Sequence, residues 1–422
     1  MAISRTATSP VANLPAGQTF AALAAGLLLG WGLAGTSAIE PVLSVAGPVG
    51  TVWLRALQMT IIPLVASLLV TGVVQMVATA RAGPMARRTL VTFTVLLAAG
   101  GVFSALAMPP LLDLFPIPDG AAAALVTTDA RPQPVPGMGA FFESLVAPNI
   151  VAAAAETAML PVIVFFAALA VAITRLPADQ AALMTGFFTA LGHAMLVVIG
   201  WVLRLAPVGV FALAIGVAAA SGSSAFAALG HYILLVSGIG VVVLLLAYPV
   251  GIIGGRLRPL AFARAVIPAQ TVGLTTQSSL ASLPAMLASC GRLGLREGTA
   301  DFVLPLAVAL FRVTGPAMNL AVAIYVAKLT GVELTPGVLL AGFAAAMVTT
   351  VGAVSLPGAI SFVTSIGPIA LAMGVPVEPL ALLVAVEMLP DIVRTVGNVT
   401  MDVAVTATMD QDRAENSPGQ AD

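Results

Sequence analysis

Apolar stretches recur through the first 255 residues with little interruption, near residues 17 to 45, 49 to 78, 89 to 117, 140 to 174, 183 to 219 and 229 to 254. Each can cross about 30 Å of hydrocarbon as a helix rising about 1.5 Å per residue. No continuous two-residue alternation of the membrane β-barrel kind accompanies them. From residue 261 onward the pattern changes, and polar, glycine and proline clusters break the apolar segments at membrane depth. Residues 271 to 286 run TVGLTTQSSLASLPAM and residues 349 to 360 run TTVGAVSLPGAI, so two interrupted segments share Ser-Leu-Pro, at Ser282 to Pro284 and Ser355 to Pro357. One such cluster reads equally as a surface loop or a kinked helix. Two of them, each followed by a full-length apolar helix, predict two re-entrant helical hairpins, because unwound backbone is stable at that depth only where it lines a protein cavity. Pro284 and Pro357 carry no backbone N–H, which frees neighbouring carbonyls and amides to meet a ligand. Paired broken segments of this kind point to the binding site of a transporter built from repeats.

The last apolar helix carries Glu387, Asp391, Arg394, Asn398 and Asp402 at spacings of four, three, four and four, which places them on one helix face. An intramembrane charge costs about 2.5–3.5 kcal/mol on insertion scales, so the stripe faces a water-filled or ligand-filled interior, or else forms a network of buried ion pairs. Arg394 offers two parallel donors to a carboxylate. Asp391 is an acceptor-only group one turn away and suits an amino group. The same two residues, at i and i+3, are also placed for a salt bridge that serves only the helix.

Composition sets the solvent: 59% of the 422 residues are hydrophobic, 8% are charged, and the mean hydropathy is +1.08. That leaves too little charge to cover a soluble globule, so the chain is an integral membrane protein. A net charge of −1 with no basic run excludes a nucleic-acid partner. Arg81, Arg87, Arg88, Arg256, Arg258, Arg264, Arg292 and Arg296 mark cytoplasmic loops, and residues 118 to 137 then fall outside. Residues 1–16 are expected to be flexible, with the next run a retained first span rather than a cleaved signal. The chain changes character between residues 17–254 and 261–409, and 410–422 is expected to be a disordered tail. Cys290, His193 and His231 read as packing residues, and no set of side chains has metal-ligand spacing or the pairing of a nucleophile with a base.

RALQMTIIPLV at 55 to 65, LPVIVFFAALAVAI at 160 to 173, APVGVFALA at 206 to 214, the two hairpin tips and DIVRTVGNVTMD at 391 to 402 together resemble the dicarboxylate/amino acid:cation symporter family, the glutamate transporter homologues. The resemblance implies an all-α fold of eight transmembrane helices and two re-entrant hairpins. It also implies a homotrimer in the inner (plasma) membrane with membrane lipid around it, in which residues 17–254 are mainly scaffold and trimerisation spans, some early ones belonging to the transport domain, and residues 261–409 are the transport core, which moves as an elevator. Carried over residue by residue, Asp391 holds the α-amino group of the substrate and Arg394 its side-chain carboxylate. Ser278, Ser279 and Asn398 lie near its α-carboxylate, with Thr395 in contact and Gln277, Leu356, Gly358 and Gly315 around it. The family's plain dicarboxylate carriers generally lack the acid at Asp391, so the pair favours aspartate or glutamate over succinate.

At the cation sites the chain departs from the family. Where relatives carry Asn-Met-Asp-Gly-Thr, the match anchored on Leu304 and Pro305 gives Phe311, Arg312, Val313, Thr314 and Gly315. Ala309 and Ala353 replace two further hydroxyls. Asp402, with Asn398 and Glu387 on the same face, then stands without a bound cation, and Arg312 is its obvious partner. Arg312 is expected to substitute for sodium as a fixed charge, or to face the substrate as a second carboxylate clamp; proton coupling through Glu387 or Asp402 is the third reading. No cofactor is expected, and a proton comes before sodium as the co-transported ion. The expected function is secondary transport of acidic amino acids with sodium coupling altered or lost. The alternatives are a carboxylate carrier, proton-coupled or exchanging, and a non-transporting small-acid sensor or anion-leak channel.

Overall fold

The structure, a computed structural model, describes residues 16–81, 83–118, 143, 145–221, 224–352 and 358–410. All regular structure among them is helical: α1 (Ala16–Leu33), α2 (Ile39–Gln58), α3 (Ile61–Ala80), α4 (Pro84–Leu114), α5 (Ile150–Ala155), α6 (Met159–Ile173), α7 (Ala178–Arg204), α8 (Ala206–Ser221) and α9 (Ser224–Pro249), which runs on as a π turn at Val250–Gly254. The C-terminal part follows as α10 (Pro259–Thr276), α11 (Leu283–Arg292), α12 (Glu297–Leu310), α13 (Thr314–Leu329), α14 (Pro336–Gly352), α15 (Gly358–Ala372), α16 (Leu380–Val386) and α17 (Met388–Met409). Among the described residues five helical stretches are long and apolar enough to cross a membrane: Ile39–Ala80, Pro84–Leu114, Ala178–Arg204, Ser224–Gly254 and Glu297–Leu329. Four shorter apolar helices accompany them.

Several apolar runs that read as continuous spans are interrupted, and at four of the breaks a proline follows within three residues, whereas the run from 17 to 45 turns at Gly35 (φ 75°). A proline at position i cannot donate to the carbonyl at i−4, and its ring crowds that turn. Pro63 follows the break at residues 59 and 60, Pro207 the one at 205, Pro316 the one at 311 to 313, and Pro390 the one at 387. At Pro249 the ladder shifts to π geometry instead. The last two breaks lie on the polar stripe or beside it, so the chemistry of the site is delivered on helix ends.

Nearly every side chain of α13 is buried, which marks it as the axis of the C-terminal part. The polar helix α17 runs beside it and packs against α9, α10 and α12, while α4 lies against α13. The early helices form another group, in which α1 and α2 pack on α8, and α3 packs on α6 and α7. Large apolar side chains such as Trp31, Leu106, Trp201, Leu234 and Ile253 point outward, as suits a hydrocarbon solvent.

Helices α10 and α11 pack together around a turn at residues 277 to 282, where the first hairpin is expected. The arms α14 and α15 pack similarly, and their connection at 353–357 lies outside the described residues. Residues 411–422 lie outside the described residues, and Asp410, the first residue of the expected tail, is held in place. Its side chain is fully buried and accepts hydrogen bonds from the Arg296 N–H (3.0 Å), the Arg296 Nε (2.6 Å) and the Thr299 hydroxyl (3.1 Å). The end of α17 is thereby pinned to the start of α12. Cys290 is buried as expected, whereas His193 is exposed on α7. His231 bridges two elements, with Nδ1 3.2 Å from the Tyr325 hydroxyl and Nε2 3.0 Å from the Phe115 carbonyl.

Candidate functional site

Glu387 occupies the joint between α16 and α17, freed from regular helix by Pro390, and Asp391 and Arg394 follow in the first two turns of α17. All three are buried. The Arg394 Nη1 donates to Oε1 of Glu387 in a short contact and to Oδ1 of Asp391 at 3.1 Å. Oε2 of Glu387 accepts from the hydroxyl of Tyr232 on α9, also fully buried, at 3.1 Å. One side of the guanidinium is thus committed. Nε and Nη2, which share its other edge, are buried and have no hydrogen-bond partner among the described residues. That edge presents two parallel N–H donors, the geometry that takes a carboxylate bidentately. A buried donor pair left without an acceptor is costly, so the site is built to receive one.

One turn further along α17, Thr395 and Asn398 are buried too. A Cβ placed on Gly273 of α10 would lie 3.5 Å from Thr395 Cγ2 and 3.7 Å from Ser282 Oγ, so α10 sits directly on this stretch of α17 with Ser282 close to the same point. Gln277 ends α10 in the left-handed region (φ 50°, ψ 31°), unusual for a residue with a side chain, and its N–H reaches the Gly273 carbonyl. The Ser278 carbonyl accepts from the Ser282 N–H (3.1 Å) and hydroxyl (2.9 Å), and Ser278 Oγ accepts from the Ala281 N–H at 3.3 Å. Ser279 is buried in the same turn.

Across from the stripe, the break between α12 and α13 brings Phe311, Arg312 and Val313. Phe311 is buried and stacked on Phe93 of α4, with centroids 4.3 Å apart and planes 8° from parallel. Arg312 is partly buried, and its charge acts on Asp391, Arg394 and Asp402. Asp402 is fully buried, and neither carboxylate oxygen has a hydrogen-bond partner among the described residues. Thr314 opens α13 and ties it to the stripe. Its N–H (3.0 Å) and hydroxyl (2.9 Å) both donate to Asn398 Oδ1, and the hydroxyl also lies 3.2 Å from the Arg394 carbonyl. A Cβ on Gly315 would lie 2.9 Å from Thr350 Oγ1, so this position serves the close approach of α13 to α14.

The structure therefore brings Glu387, Asp391 and Arg394 into one contact network. Thr395 meets α10 at Gly273, Asn398 meets Thr314, and Arg312 comes within electrostatic reach of three stripe residues. Leu356 lies outside the described residues, and Gly358 is described only as the first residue of α15. Tyr232 and Thr314 were not singled out in the sequence. One of two tyrosines in the apolar run at 229 to 254 was the available signal for the first, and a hydroxyl beside the broken segment for the second.

The description of the sodium:dicarboxylate symporter family matches residues 16–412. The chain is 26% identical over 418 residues to the proton/sodium-glutamate symport protein of Bacillus subtilis, covering 96% of this chain and 94% of that one. It is 28% identical over 372 residues to the proton/glutamate-aspartate symporter of Escherichia coli, covering 85% and 83% of the two chains. With C4-dicarboxylate transport protein 1 of Pseudomonas paraeruginosa it shares 27% over 290 residues, or 66% and 62% of the two chains. With a family match that spans all the described helices, the chain belongs to the sodium:dicarboxylate symporter family, multi-pass membrane transporters rather than enzymes.

Proposed function

We propose that this protein is a secondary transporter of an acidic amino acid, aspartate or glutamate, with sodium coupling altered or lost. The observation that carries the reading is the open Nε–Nη2 edge of buried Arg394 beside Asp391. The guanidinium edge takes the side-chain carboxylate of the substrate and Asp391 takes its ammonium group, with the Ser278–Ser279 turn and Asn398 near the α-carboxylate. Relatives named for glutamate and for glutamate and aspartate support this substrate class.

Altered coupling is supported by the replacement chemistry at the break. Phe311 and Val313 bring no side-chain oxygen, and Arg312 supplies a fixed positive charge acting on Asp402, where a bound cation would otherwise serve. The two packing groups support an elevator: α4 and α9–α17 move as one body against α1–α3 and α5–α8. They meet where α3 lies on α14 and where α1 and α8 lie on α16. A homotrimer is the assembly proposed for the static part.

The test is uptake of radiolabelled L-aspartate into proteoliposomes with sodium, potassium or proton gradients imposed one at a time, and with succinate and malate as competitors. We expect accumulation without sodium, loss of transport in Arg312→Met, and a preference for aspartate over succinate that collapses in Asp391→Asn. Accumulation driven by sodium alone refutes the coupling proposal. Equal competition by succinate in the unaltered protein refutes the substrate assignment.

A further inference from the structure

Arg394 is asked to serve several carboxylates. Glu387 and Asp391 both accept from its Nη1, and in the reading above a substrate carboxylate takes the opposite edge. Three ionised carboxylates around one buried guanidinium repel one another more than a single positive charge offsets. Neutralising one of them relieves this, and Glu387 is the one built to be neutralised. Its Oε1 faces Arg394 and its Oε2 faces the Tyr232 hydroxyl at 3.1 Å. A phenol both donates and accepts. With Glu387 ionised, Tyr232 donates to Oε2; with a proton on Oε2, the carboxylic acid donates to the phenol oxygen. The pair keeps its hydrogen bond in either protonation state, whereas neither oxygen of Asp402 has a hydrogen-bond partner among the described residues.

We propose that Glu387 is the site of the co-transported proton, and that the proton and an acidic amino acid bind together because both act on Arg394. This rests on the proposed substrate class. The groups facing Glu387 are Tyr232 from α9, with Tyr325 of α13 edge-on behind it at 5.4 Å, and Arg394 and Asp391 from α17. Arg312 lies beyond, acting on Asp391 and Arg394. Helices α1, α8 and α15, which pack on α16, contribute no titratable side chain. One proton entering with one monoanionic amino acid also leaves the net charge of the site the same when empty and when loaded. The moving body then carries no extra charge through the low-dielectric environment.

Linkage is reciprocal, so a proton that favours substrate binding is itself bound more tightly with substrate present. We expect the Kd of the purified protein for L-aspartate, measured by calorimetry from pH 5 to pH 9, to weaken by about tenfold per pH unit on the alkaline limb. In Glu387→Gln the Kd values at the two ends agree within about twofold, and an inward proton gradient no longer drives accumulation. Glu387→Asp restores the pH dependence. Tyr232→Phe, which withdraws a donor from the ionised carboxylate, moves the profile to higher pH by about one unit and covers the case in which Glu387→Gln fails to fold. A wild-type pH profile in Glu387→Gln, or an unmoved one in Tyr232→Phe, overturns the proposal. A flat profile in the unaltered protein overturns it while leaving the substrate assignment standing, whereas absence of aspartate binding at every pH removes both.

Discussion

Replacing Arg394 by lysine separates charge from shape. In the structure Nη1 is committed to Glu387 and Asp391, and Nε and Nη2 have no partner among the described residues. A lysine ammonium keeps the positive charge between the two acids, so the net charge of the core is unchanged. It cannot offer the two parallel donors of the open edge. Two charge-assisted hydrogen bonds contribute about 1.5–3 kcal/mol each, and the ammonium recovers part of one, which leaves a loss of about 3 kcal/mol. That corresponds to a Kd for L-aspartate weaker on the order of 100-fold. Calorimetry on detergent-solubilised protein measures it directly, with L-serine as the comparison because it has the amino acid backbone and no side-chain carboxylate. The preference for aspartate over serine should narrow by the same factor. A Kd within about fivefold of the original, or an equal loss for both ligands, would show that the open edge does not receive the side-chain carboxylate.

Two further outcomes follow from the packing. Asp410→Ala removes the carboxylate that joins the end of α17 to the start of α12. Burial pushes this carboxyl up, but hydrogen bonds from the Arg296 backbone and side chain and from Thr299 together hold it below the ordinary carboxylate range. Because Arg296 is half exposed, its charge counts for less than in a fully buried pair, and we expect a loss of about 2–3 kcal/mol in thermal unfolding at pH 7. A depressed folded-state pKa contributes stability above the unfolded value, about 3.9, and loses it as pH falls through the folded value, so wild type and variant should converge in acid below about pH 4; a gap independent of pH refutes this account. Phe311→Ala opens a cavity against Phe93 and should cost about 3–5 kcal/mol, while Phe311→Leu should cost less than half of that, both measured by thermal unfolding in detergent.

How far the site could be read in advance follows from which distances a sequence fixes. Glu387, Asp391, Arg394, Asn398 and Asp402 lie within a few helical turns, and their common side follows from helical periodicity whatever packs against them. The turn between α10 and α11 was legible for a similar reason, since Gln277 to Pro284 combines polar residues and proline where an unbroken span would have neither. Partners brought in by tertiary packing leave no such spacing: Tyr232 lies 155 residues from Glu387, and Thr314 lies 84 from Asn398. The helix breaks were available in principle, because Pro63, Pro207, Pro316 and Pro390 sit inside apolar runs and each disables a specific carbonyl three or four residues back. High hydrophobicity concealed them, since hydropathy reports transfer into lipid and is insensitive to which backbone bonds survive. Those breaks decide the chemistry. Pro390 takes Glu387 out of regular helix, and Pro316 opens the turn that carries Arg312 toward the stripe. A carboxylate and a guanidinium that would be two charges on continuous spans become groups at helix ends, facing Arg394 and Asp402 across a buried interior.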